Sequence, residues 1–253
     1  MKLLTFFTPP AVVARAPAPL IMPVMESMRV DMQVHPHAGG DYFDALAAGS
    51  EQLVFLLMDI AGQRISALNL AAFVQDEFRS RAPELFSTEG DPAAALSELC
   101  LHLNRTLLET AGRAHLAAAL LGILNGEDGT LYYINAGHVP GLLLAADSTE
   151  FLESTGLPLG LFSHATHEAC SRVMPRGGAL LMASRGVVEA RGESGIQCIG
   201  RSPEFGAGGL LKATAGVSRV AQSLCRAVLD TATLFAGRHL NNPMSVAAIS
   251  RDI

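Results

Sequence analysis

Three short stretches of the chain bring together residue types that can do chemistry. In Gly39-Gly40-Asp41-Tyr42-Phe43-Asp44, two glycines let the backbone turn tightly and approach a ligand closely, and the acid that follows can ligate a hard cation. Taken alone, the stretch reads equally as a Gly-Gly turn with a solvated aspartate. In Met58-Asp59-Ile60-Ala61-Gly62, an acid ends an all-apolar run, at the rim of a core, where a carboxylate needs a partner or a metal. A turn or helix-capping role for Asp59 competes with that reading. In Tyr133-Ile134-Asn135-Ala136-Gly137-His138, an amide and an imidazole can flank a pocket or simply close a tight turn. A lone histidine is no basis for assigning His138 as a general base.

These groups are scarce in the chain as a whole. Its 253 residues hold 24 Asp+Glu against 18 Lys+Arg, a formal charge of -6, and only 17% of residues are charged. Hydrophobic residues make up 49% and mean hydropathy is +0.31. Such a composition excludes a disordered chain. Without a basic excess it also argues against nucleic acid as a partner. The cysteines (Cys100, Cys170, Cys198, Cys225) lie far apart with no zinc-type spacing, as buried cytosolic thiols would. The apolar start Met1–Phe7 is interrupted by Pro9-Pro10, against an export signal. No apolar run approaches the roughly 18–20 residues that span a bilayer. A cytoplasmic protein without a membrane partner is expected.

The elements that must position the acids follow from periodicity. Five prolines in residues 1–25 mark an irregular lead-in over 1–27, and a single domain is expected over 28–253. Leu53–Met58 reads as a buried strand ending at Asp59, and Ser66–Arg81 as a helix. Asp91-Pro92 supplies an N-cap and a first-turn proline for a second helix to about Gly112. Strands follow at His115–Leu124 and Thr130–Asn135 around a Gly126–Gly129 hairpin turn, then at Gly141–Leu144, His167–Val173 and Ala179–Ala183. A late helix over Val217–Phe235 and a last strand over Ser245–Ile249 complete the pattern. Consecutive helices and consecutive strands favour α+β, with two antiparallel sheets face to face and helices outside.

Taken in order, Gly39-Gly40-Asp41-Tyr42-Phe43-Asp44, Asp59-Ile60-Ala61-Gly62, Asn135-Ala136-Gly137-His138 with Pro140, Gly156-Leu157-Pro158-Leu159-Gly160 and Gly186-Val187-Val188-Glu189-Ala190-Arg191 resemble the PPM family of metal-dependent serine/threonine protein phosphatases, in its bacterial SpoIIE-like branch. The resemblance runs from about Pro36 to the C-terminus. It implies a four-layer α-β-β-α sandwich and two divalent cations, Mn²⁺ or Mg²⁺, sharing a water that attacks phosphoserine or phosphothreonine on a partner protein. Carried over by position, Asp41 and Asp59 match metal aspartates, and the carbonyl of Ile60 matches a main-chain ligand. In this branch the implied partner is an anti-anti-sigma-type regulator, and the apolar composition permits a homodimer.

Two positions depart from the pattern. Where the resemblance implies Thr-Asp-Gly, the chain reads Ser184-Arg185-Gly186, and where it implies a closing acid, the chain reads Asn242-Pro243-Met244-Ser245. A fixed positive charge about 4 Å from a unit positive charge is repelled by roughly 4 kcal/mol at an effective dielectric near 20. One cation or none is therefore expected. The plainer expectation for Arg185 is that it turns to solvent; the alternative is that it binds a phosphate bidentately. Two functions follow, a phosphatase of reduced activity or a catalytically dead pseudophosphatase acting as a partner- or phosphopeptide-binding regulator.

Overall fold

The computed structural model describes residues 15–34, 40–62, 64–87, 90–110, 116–192, 203–237 and 243–253. Gly39, Gln63, His115, Cys198 and Asn242 lie outside the described residues.

Among the described residues, ten strands form two antiparallel five-stranded sheets. The first contains β1 (Met28–Val34), β10 (Ser245–Arg251), β9 (Ala179–Ala183), β6 (Gly141–Leu144) and β7 (Thr149–Leu152), in that order. The second runs β2 (Asp41–Ala47), β3 (Gln52–Ile60), β4 (Ala117–Asn125), β5 (Thr130–Ala136) and β8 (Cys170–Val173). Helices α1 (Arg64–Phe86) and α2 (Pro92–Thr110) cover the outer face of the second sheet. Helices α3 (Arg185–Val188), α4 (Gly206–Thr214) and α5 (Ala221–Ala236) cover the first. The result is the α+β sandwich with layers α-β-β-α. Among the described residues, no helix is long and apolar enough to cross a membrane.

The alternation of side chains along each strand sorts the core into layers. On β3, Val54, Leu56, Met58 and Ile60 pack beneath α1 and α2, while Leu53, Phe55 and Leu57 pack between the sheets. Phe43 and Ala45 on β2, Leu180 and Met182 on β9, and Ala247 and Ile249 on β10 share that central layer. Continuing each inward row by one step off the same end of the sandwich reaches Asp41, Asp59, Ser184 and Ser245. The fold thus gathers four polar side chains at one mouth of an apolar slab.

The off-parity neighbours on β2 face α1 instead. Asp44 is completely buried, and its carboxylate accepts from Arg79 Nε at 2.7 Å, from Arg79 Nη2 at 3.2 Å and from the Tyr42 hydroxyl at 2.7 Å. Burial, then the neighbouring carboxylate, pushes the Tyr42 phenol well above its ordinary range, so it stays a donor.

Asp91 begins α2 as expected, its Oδ1 accepting the Ala93 amide at 3.0 Å. Along α2, buried Asn104 donates to the Phe162 carbonyl at 3.0 Å and accepts from the Gly160 amide at 2.8 Å, tying the 157–162 loop to the helix. Residues 15–22 carry no regular element, yet Arg15 and Ala18 bond to α1 while Leu20 and Met22 pack on the central layer. Arg15 pairs with Asp76, and the buried Gln75 amide donates to the Ala18 carbonyl and accepts from its N–H. Strands β1, β2 and β7 and helices α3 and α4 go beyond the periodicity reading, because charged residues or glycines interrupt each run. Helix α1 extends past Arg81 to Phe86 and takes Pro83 into its last turn.

Candidate active site

Asp41 opens β2 and Asp59 lies near the end of β3, and the antiparallel register sets them directly opposite each other. Gly40 is required by close approach: a Cβ there would lie 2.3 Å from the Ile60 carbonyl oxygen, and the Gly40 carbonyl already accepts the Ile60 amide at 3.1 Å. The Ile60 carbonyl therefore sits against the residue preceding Asp41.

Two serines hold Asp41. The Ser245 hydroxyl donates to its Oδ2 at 2.7 Å, and Ser184 also bonds the carboxylate. Ser184 is itself fixed, because its amide donates to the Ser245 carbonyl at 2.8 Å and its hydroxyl accepts the Ser245 amide at 3.0 Å. Burial raises the Asp41 carboxyl to about 6, outweighing the two serine bonds and nearby Arg185, which lower it. Sequence reasoning quoted both serines within motifs but gave neither a role. Their signal is parity on strands whose pairing is visible only in the fold.

Arg185 does not turn to solvent. It is the first residue of α3, and its Nε and Nη2 donate to the same oxygen of Asp59, at 3.0 and 2.8 Å. Its side chain remains half exposed while Asp59 is 19% exposed. The expectation of a solvent-facing arginine fails because Ser184, buried at the end of β9, aims the next side chain across the sandwich mouth.

Asp41, Asp59, Arg185, Gly186, Glu189 and Pro243 line one open pocket of about 230 Å³. Larger clefts lie elsewhere, but they lack this convergence of acids and a cation. The Asn135–His138 stretch supports the site from behind. Buried Asn135 donates to the Leu152 carbonyl at 3.0 Å and accepts the His138 amide at 2.8 Å. Gly137 has φ +70°, and a Cβ there would strike Pro158. Burial lowers the His138 imidazole below its usual range; its Nδ1 lies 3.0 Å from the Val139 carbonyl, and its Nε2 has no hydrogen-bond partner.

The residues present do not fit a pair of divalent cations as they stand. One oxygen of Asp59 already accepts two guanidinium bonds and one oxygen of Asp41 accepts a hydroxyl. Among the described residues, no three His, Cys, Asp or Glu side chains gather to hold a metal ion. What the arrangement offers is an acid with a raised pKa beside a guanidinium that keeps donors facing open space.

Two five-stranded antiparallel sheets flanked by helices, with acids facing at one mouth, define a PPM-type phosphatase domain. More closely, the chain belongs to the SpoIIE family: the profile of Stage II sporulation protein E matches residues 49–252. Among characterised proteins it is 23% identical over 195 residues to Protein IcfG of Synechocystis, covering 68% of this chain and 31% of IcfG. It is 22% identical over 151 residues to phosphoserine phosphatase RsbP of Bacillus subtilis, covering 59% of this chain and 36% of RsbP. The chain thus spans about a third of the length of these relatives. Among solved structures, the RsbU and RsbW domains of Rv1364c from Mycobacterium tuberculosis superpose with a TM-score of 0.65 at 25% identity, over 91% of this chain and 63% of that one. The SiaA-PP2C domain of Pseudomonas aeruginosa reaches 0.71 at 14% identity, over 88% and 86%. The catalytic domain of the phosphatase PstP, solved with two manganese ions, reaches 0.65 at 12%, over 90% and 99%. The last two show the fold alone.

Proposed function

We propose that this domain hydrolyses phosphoserine or phosphothreonine on a cytoplasmic signalling protein, at a rate well below that of a fully metallated site. The observation that carries this reading is the facing pair Asp41 and Asp59 at the mouth of an open pocket, in a chain of the SpoIIE family. The attenuation rests on Arg185, which engages the acid that a cation would need, and on Asn242, an amide at a second position where the resemblance implies an acid. Asp41, Asp59 and the Ile60 carbonyl are the groups left for a single Mn²⁺ or Mg²⁺. A phosphoryl oxygen entering the pocket meets the outward N–H groups of Arg185. Likeness to phosphoserine phosphatase RsbP, and to a chain in which an RsbU domain accompanies an RsbW domain, supports a phosphorylated anti-anti-sigma-type regulator as substrate. A homodimer would be compatible with the apolar composition.

A second reading starts from the same Arg185–Asp59 contact, a pseudophosphatase that binds the phosphorylated partner without turnover. One experiment separates them. Purified protein with Mn²⁺ is given a phosphoserine protein and a chromogenic phosphate ester, beside an Asp41→Ala control. Slow phosphate release that vanishes in the control supports the phosphatase. Equal release in both, or none in either, refutes it, and phosphoprotein binding without release supports the second reading.

A further inference from the structure

We infer that Arg185 is a tethered cation: while its guanidinium holds Asp59, the Asp41–Asp59 pocket does not take a divalent ion. The inference rests on the reading of these acids as the domain's active-site pair, and it goes further by assigning the site a resident positive charge that belongs to the chain.

The backbone fixes the point from which the Arg185 side chain starts. Ser184 is locked into β10 by amide and hydroxyl bonds, and the Arg185 carbonyl accepts the Glu189 amide at 2.8 Å, so the Cα is fixed between a strand and a short helix. Only the side chain can move, and it is anchored through two donors on a single carboxylate oxygen. Charge-assisted bonds of this kind are stronger than neutral ones. The guanidinium stays protonated at any pH the fold survives, so this cation is never lost to titration.

Formal charge alone would still admit a cation, so the exclusion rests on the guanidinium held at Asp59. The pocket is lined by three acids, Asp41, Asp59 and Glu189, and one fixed cation. A divalent ion on Asp59 would have to displace the guanidinium or sit beside it, against like-charge repulsion in a partly desolvated space. With one Asp59 oxygen taken by the guanidinium and one Asp41 oxygen by a serine hydroxyl, the groups left free offer a hard cation fewer oxygens than it needs. The half-exposed stem of Arg185 makes displacement feasible in principle, so the pair acts as a competitor with a measurable strength.

The test is a Mn²⁺ titration of the intact protein, read by the electron paramagnetic resonance signal of the unbound aqueous ion. It needs no hydrolysis, so an absence of phosphatase turnover and a failure of this inference remain distinguishable. The wild type is expected to leave the signal of unbound Mn²⁺ intact until millimolar concentrations. Arg185→Ala is expected to tighten binding at least tenfold, Arg185→Lys to stay near the wild type, and Arg185→Ala with Asp59→Asn to lose the gain. Thermal melts without metal establish that each variant is folded, and Arg185→Gln replaces the alanine variant if that one is not. Micromolar binding by the wild type, or no tightening on removing the guanidinium from a folded variant, overturns the inference.

Discussion

Two of the aspartate–arginine pairs, in each of which the arginine donates through both Nε and Nη2, sit in very different surroundings. Asp44 and Arg79 meet at 2.7 Å between β2 and α1, with the Asp44 carboxylate fully buried and Arg79 29% exposed. Asp59 and Arg185 meet at 2.8 Å at the sandwich mouth, with the arginine half exposed. The two acids lie on neighbouring strands of one sheet, and both bonds are charge-assisted. Burial separates their uses. A buried carboxylate has nowhere to go when its partner leaves, so the first pair clamps a helix onto a sheet. The second pair opens onto water, so its partner is exchangeable and the contact can serve as a switchable charge.

The comparison is broken most sharply at Arg79. Arg79→Ala leaves an uncompensated charge under α1 and is expected to cost about 3 kcal/mol, the low end for a buried pair because water reaches Arg79; urea unfolding measures it. Tyr42→Phe removes a second donor from the same carboxylate and is expected to cost about 1.5–2 kcal/mol, read from the same transitions.

At the open end the sign reverses for Asp41. Its carboxyl is raised to about 6 from an ordinary 3.8, so the folded chain holds this proton more tightly than the unfolded one. The contribution is fully present below about pH 4 and is lost as pH rises through about 6, a swing of at most about 3 kcal/mol. Asp41→Asn, in chelator, is therefore expected to gain about 1–2 kcal/mol at pH 8, after a partial loss at Ser245, and to gain nothing at pH 4. Melting temperatures at the two pH values decide it. The smallest effect is expected at Arg185, where Arg185→Ala changes stability by about 0–1 kcal/mol and less in high salt. A loss at Arg185 as large as that at Arg79 would erase the distinction drawn between the pairs.

Much of this was legible in the chain. The run Leu53–Met58 gave β3 and its terminal acid, and Asp91-Pro92 gave the start of α2, because local periodicity and capping suffice there. The motif order pointed to the fold and singled out Asp41 and Asp59, and the β2–β3 register is what sets them face to face. The direction of Arg185 was not legible, since its partner lies 126 residues away and only the pairing of β9 with β10 aims it. The roles of Ser184 and Ser245 were hidden for the same reason. Asp44 entered only as the end of the Gly39–Asp44 stretch, because a one-residue offset from the inward row of β2 sends it to α1, and parity has no meaning until the sheet's two faces are known.

Asn104 carries a mechanical consequence. Both ends of its amide are committed to the 157–162 loop from a buried seat on α2, so loop and helix form one linkage in which neither part shifts alone. That loop also bonds to the first residue of β4 through the Leu159 and Ala117 backbones, beside the strand that ends in Asp59 and Ile60. Asn104 thus adds a polar tie from α2, through this loop and Ala117, to the strand edge beside Asp59 and Ile60, and Asn104→Ala would cut that tie while leaving every pocket side chain in place.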